Sequence, residues 1–287
     1  MQGDEDIRPG TMAAPGTPAG HRPARYLLFC LFVLCAVFGA LFFVLPLPLY
    51  RLAGHCLEAG IALTCMGLCL YAYRYWSGRI LLLLAAFAFG EYALATIFWY
   101  LFSILPLTGD GDLARPFVYT SVAELSFLGF MIFFIAAFQI EGKKERENPW
   151  FPWLLLLLFL IVPFMVIGEY GITTRTVMLL VRFLIVEQLI AVTIAYGFFR
   201  YPLLWAGICV RCFAAMLYGL RETILVYYPS LSLLPGVTGS TGMVSLYDLL
   251  SIVGPLIAAS FTLITLGLLD YVAVREQDRA GSPDPAA

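Results

Sequence analysis

Charge is what this sequence has least of. Only 13% of its 287 residues are charged, against about 25% in an ordinary soluble domain. Hydrophobic residues make up 61%, so no stretch remains that could form a separate soluble domain. The formal net charge is -2, too small for the field that a nucleic-acid-binding surface needs. Lysine is almost absent: Lys143 and Lys144 are the whole complement, and both fall between apolar runs. That excludes a lysine Schiff base of the retinal kind inside a bundle. Histidine is as scarce, with His21 and His55 alone, and a zinc site would ask for more. The cysteines number seven, an odd count without an extracellular disulfide pattern. They read as small, soft core residues.

What the chain does have is long apolar runs. A bilayer core takes about 20 apolar residues per helix. Eight segments qualify: 26–45, 52–73, 80–103, 117–140, 153–170, 177–199, 203–228 and 244–271. The expected architecture is an all-α, polytopic integral membrane protein with eight transmembrane helices over 26–271. Polar segments 1–25 and 272–287 read as disordered cytoplasmic tails. The first segment is full length and lacks a small-residue cleavage site, which marks an anchored helix rather than a signal peptide.

Arginine and lysine set the expected orientation. With the N-terminus inside, the cytoplasmic segments carry Arg8, Arg22, Arg25, Arg74, Arg79, Lys143, Lys144, Arg146, Arg200, Arg275 and Arg279. The outer loops carry only Arg51, Arg115 and Arg175. Both termini are therefore expected in the cytoplasm of a cell-membrane protein. Trp76, Trp150, Trp153 and Trp205 then fall at the inner interface, and Trp99 and Tyr227 at the outer one, where amphipathic rings settle.

The few charges inside these segments carry the functional signal. A charge at a bilayer centre costs from ~2.5 to ~17 kcal/mol, depending on the reference, and such residues usually face the bundle interior and one another. The candidates for a ligand-binding site or polar core are Glu91, Glu124, Arg182, Glu187, Arg211, Arg221, Glu222 and Asp248. Most are expected in the outer half of the bundle, with Arg211 toward the inside. At about 100° per residue, Arg211, Ala215, Tyr218 and Glu222 share one helical stripe, with Arg221 at its edge. Arg221 is the main local cation expected for Glu91, Glu187, Glu222 and Asp248.

Catalytic and metal motifs are weak by comparison. "GDGD" at 109–112 has the spacing of an intramembrane aspartyl peptidase signature, but it lies in a Pro-flanked loop without a preceding partner aspartate and reads as a turn. "CVRC" at 209–212 has redox spacing within a helical run and reads as packing. His55, Cys56 and Glu58 form only a thin metal motif. No catalytic residue, metal or cofactor is expected, and the chain is not read as an enzyme.

The third and fourth segments resemble the seventh and eighth, which suggests a parallel internal repeat. Each pair opens on Arg-Tyr (Arg74–Tyr75, Arg200–Tyr201) and has a mid-span glycine and acid, Gly90–Glu91 in one and Gly219 with Glu222 in the other. Each then restarts with Ser-x-x-acid-Leu at Ser121/Glu124 and Ser245/Asp248. Ser-x-x-acid is also the capping-box spacing.

On this pattern the chain resembles the multi-helix membrane segments of microbial signalling proteins, the sensors fused to diguanylate cyclases or histidine kinases. The residues that carry the resemblance are Arg74, Trp76, Gly90, Glu91, Pro116, Ala123 and Glu124, then Tyr247, Asp248, Gly254 and Pro255. It covers about residues 70–270 and departs in lacking an output module. The resemblance implies a stand-alone sensor or accessory subunit recognising a small ligand in the outer half of the bundle. The loop 141–148 would then contact a cytoplasmic signalling partner. A small-solute or proton-coupled transporter is the alternative, and an intramembrane enzyme the third.

Overall fold

A computed structural model describes residues 21–104, 129–142, 174–227, 235–239, 242–245 and 252–281. Within them lie seven α-helices: α1 (His21–Ala40), α2 (Leu47–Ala72), α3 (Ile80–Ile104), α4 (Gly129–Gly142), α5 (Thr174–Ala195), α6 (Pro202–Tyr227) and α7 (Val253–Gly281). Four helical stretches are long and apolar enough to cross a bilayer: His21–Phe43, Leu49–Ser77, Ile80–Ile97 and Val253–Asp278. The chain is thus an all-α, membrane-embedded protein, in which the described residues add one antiparallel hairpin of β1 (Pro235–Gly239) and β2 (Gly242–Ser245).

Proline and glycine punctuate the helices. Pro48 stands in the first turn of α2 and Pro202 opens α6, where a missing N–H costs nothing. A π turn, Tyr73–Ser77, finishes α2, and Gly78 at φ 61° stops it. Gly197, at φ 73°, does the same after α5. Both need the left-handed backbone that glycine adopts without strain.

α7 is the axis of the bundle. It packs against α1, α2 and α6, while α2 also packs on α3 and α5 on α6. In its most apolar stretch 78% of residues are buried, against 22% for α1. The outward face of α1 carries Tyr26, Phe29, Leu34 and Val37, apolar side chains suited to lipid. Two glycines bring α6 and α7 close together. A methyl at Gly207 would lie 2.6 Å from the Ile264 nitrogen, and one at Gly267 would overlap the Leu204 backbone. Small residues that let helix backbones approach are a common means of association within membranes.

Three boundaries differ from expectation. The last apolar segment does not run 244–271: residues 244–245 belong to β2, and the helix spans Val253–Gly281. The expected polar tail from 272 is helical through Gly281, because Val272 is buried and Glu276 is held by an arginine elsewhere in the fold. At the other terminus α1 starts at His21 rather than 26, with His21 and Arg25 on Asp270 of α7 at 3.4 and 3.6 Å. Ser245 sits in a strand, paired with Pro235, so it does not open a helix as the capping-box spacing suggested. The expected segment 153–170, the "GDGD" turn and the first half of 117–140 lie outside the described residues.

Candidate functional site

Two buried polar clusters stand at different levels of the bundle. The first is near the middle of α2, α3 and α6. The Tyr92 hydroxyl on α3 donates to Glu58 Oε2 on α2 at 2.7 Å. Tyr92 also presents its ring to Arg211 of α6, whose guanidinium carbon lies 5.6 Å from that ring's centroid and 5.1 Å from Phe130's. Phe261 of α7 closes the group, 4.5 Å from Tyr92 and 5.2 Å from Phe130. Arg211 is fully buried among them. Aromatic faces attract a desolvated cation by their quadrupole, worth about 2 kcal/mol or more per good contact. An acid, a phenol and a guanidinium thus adjoin across three helices, the acid at the hydroxyl of Tyr92 and the guanidinium over its ring.

Glu58 is also set against the start of α7. A methyl on Gly254 would collide with Glu58 Oε1, so only glycine leaves room for the carboxyl beside that first turn. Toward the nearby helix ends, Phe38, Phe42 and Tyr50 pack with Ile252 as an apolar cap. Phe38 and Tyr50 stack at 4.9 Å.

The second cluster lies where α2 meets α3. Arg79 pairs through Nη1 with Glu141 of α4 and through Nε with Glu276 of α7, the latter at 3.0 Å. The Tyr271 hydroxyl donates to the same Glu141 oxygen at 3.0 Å. Burial works against the Arg79 charge, but Glu276 and Glu141 outweigh it and raise its pKa above that of a free arginine. Tyr201 packs edge-on to Tyr271 at 4.9 Å. Burial, then the charge of Asp278, pushes the Tyr201 phenol up from its usual value.

An aromatic ladder joins the two levels. Phe130, Phe134, Phe138, Phe198 and Tyr271 follow one another at centroid distances of 5.1, 5.8, 4.6 and 5.5 Å. The ladder passes from α4 to the turn after α5 and on to α7.

Of the candidates read from sequence, Arg211 is at the first cluster. Glu91 lies alongside it in sequence and against Gly129 of α4, whose added methyl would stand 3.5 Å from Glu91 Cγ. Glu187 of α5 is buried, and its Oε2 has no hydrogen-bond partner among the described residues. Arg182, Arg221 and Glu222 lie on helices, but their side chains are outside the described part; Glu124 and Asp248 are outside it altogether. The expected Arg221-centred core therefore falls outside the described residues.

Several residues of both clusters were missed by sequence reasoning. Tyr92 reads like any aromatic of an apolar span, and its partner Glu58 is one acid in an apolar helix. Arg79 and Glu141 looked like loop charges. Glu141, expected at the edge of a partner-binding loop, instead turns inward and is buried on Arg79. The rest of that loop, 143–148, is outside the described residues. The thin motifs do not assemble. Cys209 is exposed and Cys212 buried, all seven cysteines are free, and no group of three metal ligands forms among the described residues. No protein-family model, curated protein or solved structure matches the chain.

Proposed function

We propose that this chain is a multi-pass plasma-membrane protein acting as a stand-alone sensor or accessory subunit, with both termini and the Arg79 cluster on the cytoplasmic side. One observation carries the reading: a fully buried arginine held among aromatic rings and joined through Tyr92 to a buried acid. Ionisable groups inside a membrane bundle are expensive and mark functional elements. The Glu58–Tyr92–Arg211 group is the receiving element. The aromatic ladder and α7 support a route to the Arg79 cluster, where a cytoplasmic partner would respond. Contiguity of packed side chains is a physical route only if an element has two arrangements. The start of α7 against Glu58 is the natural place for that element.

A transporter would use the same acid as a relay. The two readings separate in sealed proteoliposomes containing a pH-sensitive dye, with a proton gradient imposed across the membrane. A sensor gives no proton flux above that of empty liposomes. Flux that Glu58→Gln abolishes would replace the sensor reading with the transporter.

A further inference from the structure

We propose that the start of α1 and the π turn that ends α2 form a binding site for the headgroup of an anionic phospholipid, whose acyl chains run along the outward face of α1. Such a site goes beyond the sensor reading and does not depend on it. It needs only a membrane-embedded chain, and the leaflet alone follows from the proposed orientation. The partner is a phosphate headgroup with a net negative charge, joined to hydrocarbon chains.

Two helix ends meet at this place. His21, the first residue of α1, lies 5.6 Å from Trp76 of the π turn, ring centroid to ring centroid. His21 and Arg25 both reach Asp270 of α7, which seats the first turn of α1 on the bundle. Next to these residues in sequence stand Arg22 and Arg74, both exposed. Arg25 is half exposed even while it reaches Asp270. Among the described residues Asp270 is the one acid in contact with this group, and it meets neither Arg22 nor Arg74. Three guanidinium groups thus stand against one carboxylate. Beside them Tyr71 packs on Tyr75 at 4.8 Å and on Trp76 at 6.1 Å. Aromatic patches of this kind settle at the level of the lipid headgroups.

The pattern along α1 says which partner fits. At about 100° per residue, Arg22, Tyr26, Phe29, Val33 and Val37 fall on one helix face. All five are exposed. That face is cationic at its start and apolar from there on. A phosphate suits the cationic end, because a guanidinium offers a planar fork of N–H donors matched to its oxygens. Hydrocarbon chains suit the rest. On α2, Leu63 and Leu70 are likewise exposed, and Arg74 follows at the helix end. A soluble phosphate would leave the apolar track unused, and a soluble protein could not follow it into the bilayer. In a zwitterionic lipid the ammonium offsets the phosphate charge that the arginines would meet. Arginines beside a membrane span attract the anionic lipids of the cytoplasmic leaflet, the side on which the proposed orientation puts these helix ends.

The test is native mass spectrometry of the full chain in detergent, with phosphatidylglycerol or phosphatidylcholine of the same acyl chains added in steps. The wild type should retain phosphatidylglycerol in preference. Arg22→Gln and Arg74→Gln should each lower that preference by about fivefold, with thermal unfolding unchanged. Arg200→Gln, which removes an exposed charge elsewhere, should leave the preference as it was. No preference in the wild type, or full preference kept in either R22Q or R74Q, overturns the proposal. A loss as large in R200Q as in R22Q also overturns it, since that is the diffuse pull of a basic interface and not a site. Glycerophosphoglycerol, the headgroup without chains, should not displace the lipid. Displacement at equal concentration would make this a site for a soluble anion and overturn the lipid. If the glutamine variants do not fold, the wild type carries the test in nanodiscs, with each lipid bearing a diazirine in its acyl chain. Adducts of phosphatidylglycerol should concentrate on 26–37 relative to those of phosphatidylcholine. An equal enrichment at Phe213 and Met216 of α6, which are exposed too, overturns the proposal. The sensor reading stands or falls separately, by the proton-flux measurement.

Discussion

Arg79 and Glu276 lie 197 positions apart in the sequence and meet at 3.0 Å, Nε to Oε1. The same guanidinium holds Glu141, so one side chain ties the α2–α3 junction to the ends of α4 and α7. Arg79→Ala would leave Glu141, with a side chain only 2% exposed, as a buried charge without its cation. Breaking a buried pair in this way costs about 3–5 kcal/mol. Glu276 is more exposed, so Glu276→Gln should cost about 1 kcal/mol or less. Thermal unfolding of both variants in the same detergent checks the order, and equal losses would count against the geometry.

The α6–α7 contact gives a second prediction. Gly267→Ala and Gly207→Ala should each lower the unfolding temperature, because the added methyl meets backbone rather than a flexible side chain. Overpacking of this kind costs about 1–3 kcal/mol. Gly60→Ala on α2 has nothing within 4 Å of the new methyl. It should instead be neutral or stabilising by about 0.5–1 kcal/mol, since alanine is the better helix former. A loss for Gly60→Ala as large as for Gly267→Ala would refute the packing.

Arg211 and Tyr92 should be energetically coupled. In a double-mutant cycle of Arg211→Met and Tyr92→Leu, the interaction should come to about 1–2 kcal/mol. Arg211→Lys should not restore it fully, because an ammonium lacks the planar face that stacks on a ring. Coupling indistinguishable from zero would show that the guanidinium and the ring share only a neighbourhood.

Orientation can be checked by labelling. In a background with the seven native cysteines replaced, a cysteine at Lys144 should be protected from an impermeant reagent in intact cells, while one at Gly239 in the hairpin should react. Gly142 is a poor place for such a probe, because a Cβ there would strike the Tyr196 ring. The reverse labelling pattern would invert the proposed topology.

The same loop tests partner contact. Changing Lys143, Lys144 and Arg146 to glutamate should abolish binding of a cytoplasmic partner while the labelling pattern stays intact. Retained binding would move the docking surface elsewhere, Glu141 being already committed to Arg79.

Hydropathy made the helices legible, because an apolar run of about 20 residues has few other uses. It placed residues 244–245 in the last helix, since a short apolar stretch such as Met243–Val244 looks alike whether it pairs in a hairpin or winds into a helix. It missed the helical continuation past 272 for a different reason: only the long-range pairing of Glu276 with Arg79 makes that polar segment worth ordering. The buried charges were visible as types. Arg211 stood out as a cation in an apolar run, and its aromatic surroundings did not, because Phe130 and Phe261 come from distant helices. Glu58 was readable as an acid in α2. That its carboxyl rests on the first turn of α7 was not, although Gly254 was already conspicuous within the repeat.

The burial of α7 also bears on how the protein is made. The helix that the others surround is the last of the described helices to be synthesised. Until it enters the membrane, α1, α2 and α6 lack their common partner, Glu58 lacks the helix start it rests on, and Arg79 lacks Glu276. The early helices must therefore wait in the bilayer with their inward faces unsatisfied, which makes the interval before the C-terminal helix arrives the period when quality-control proteases have most to grip.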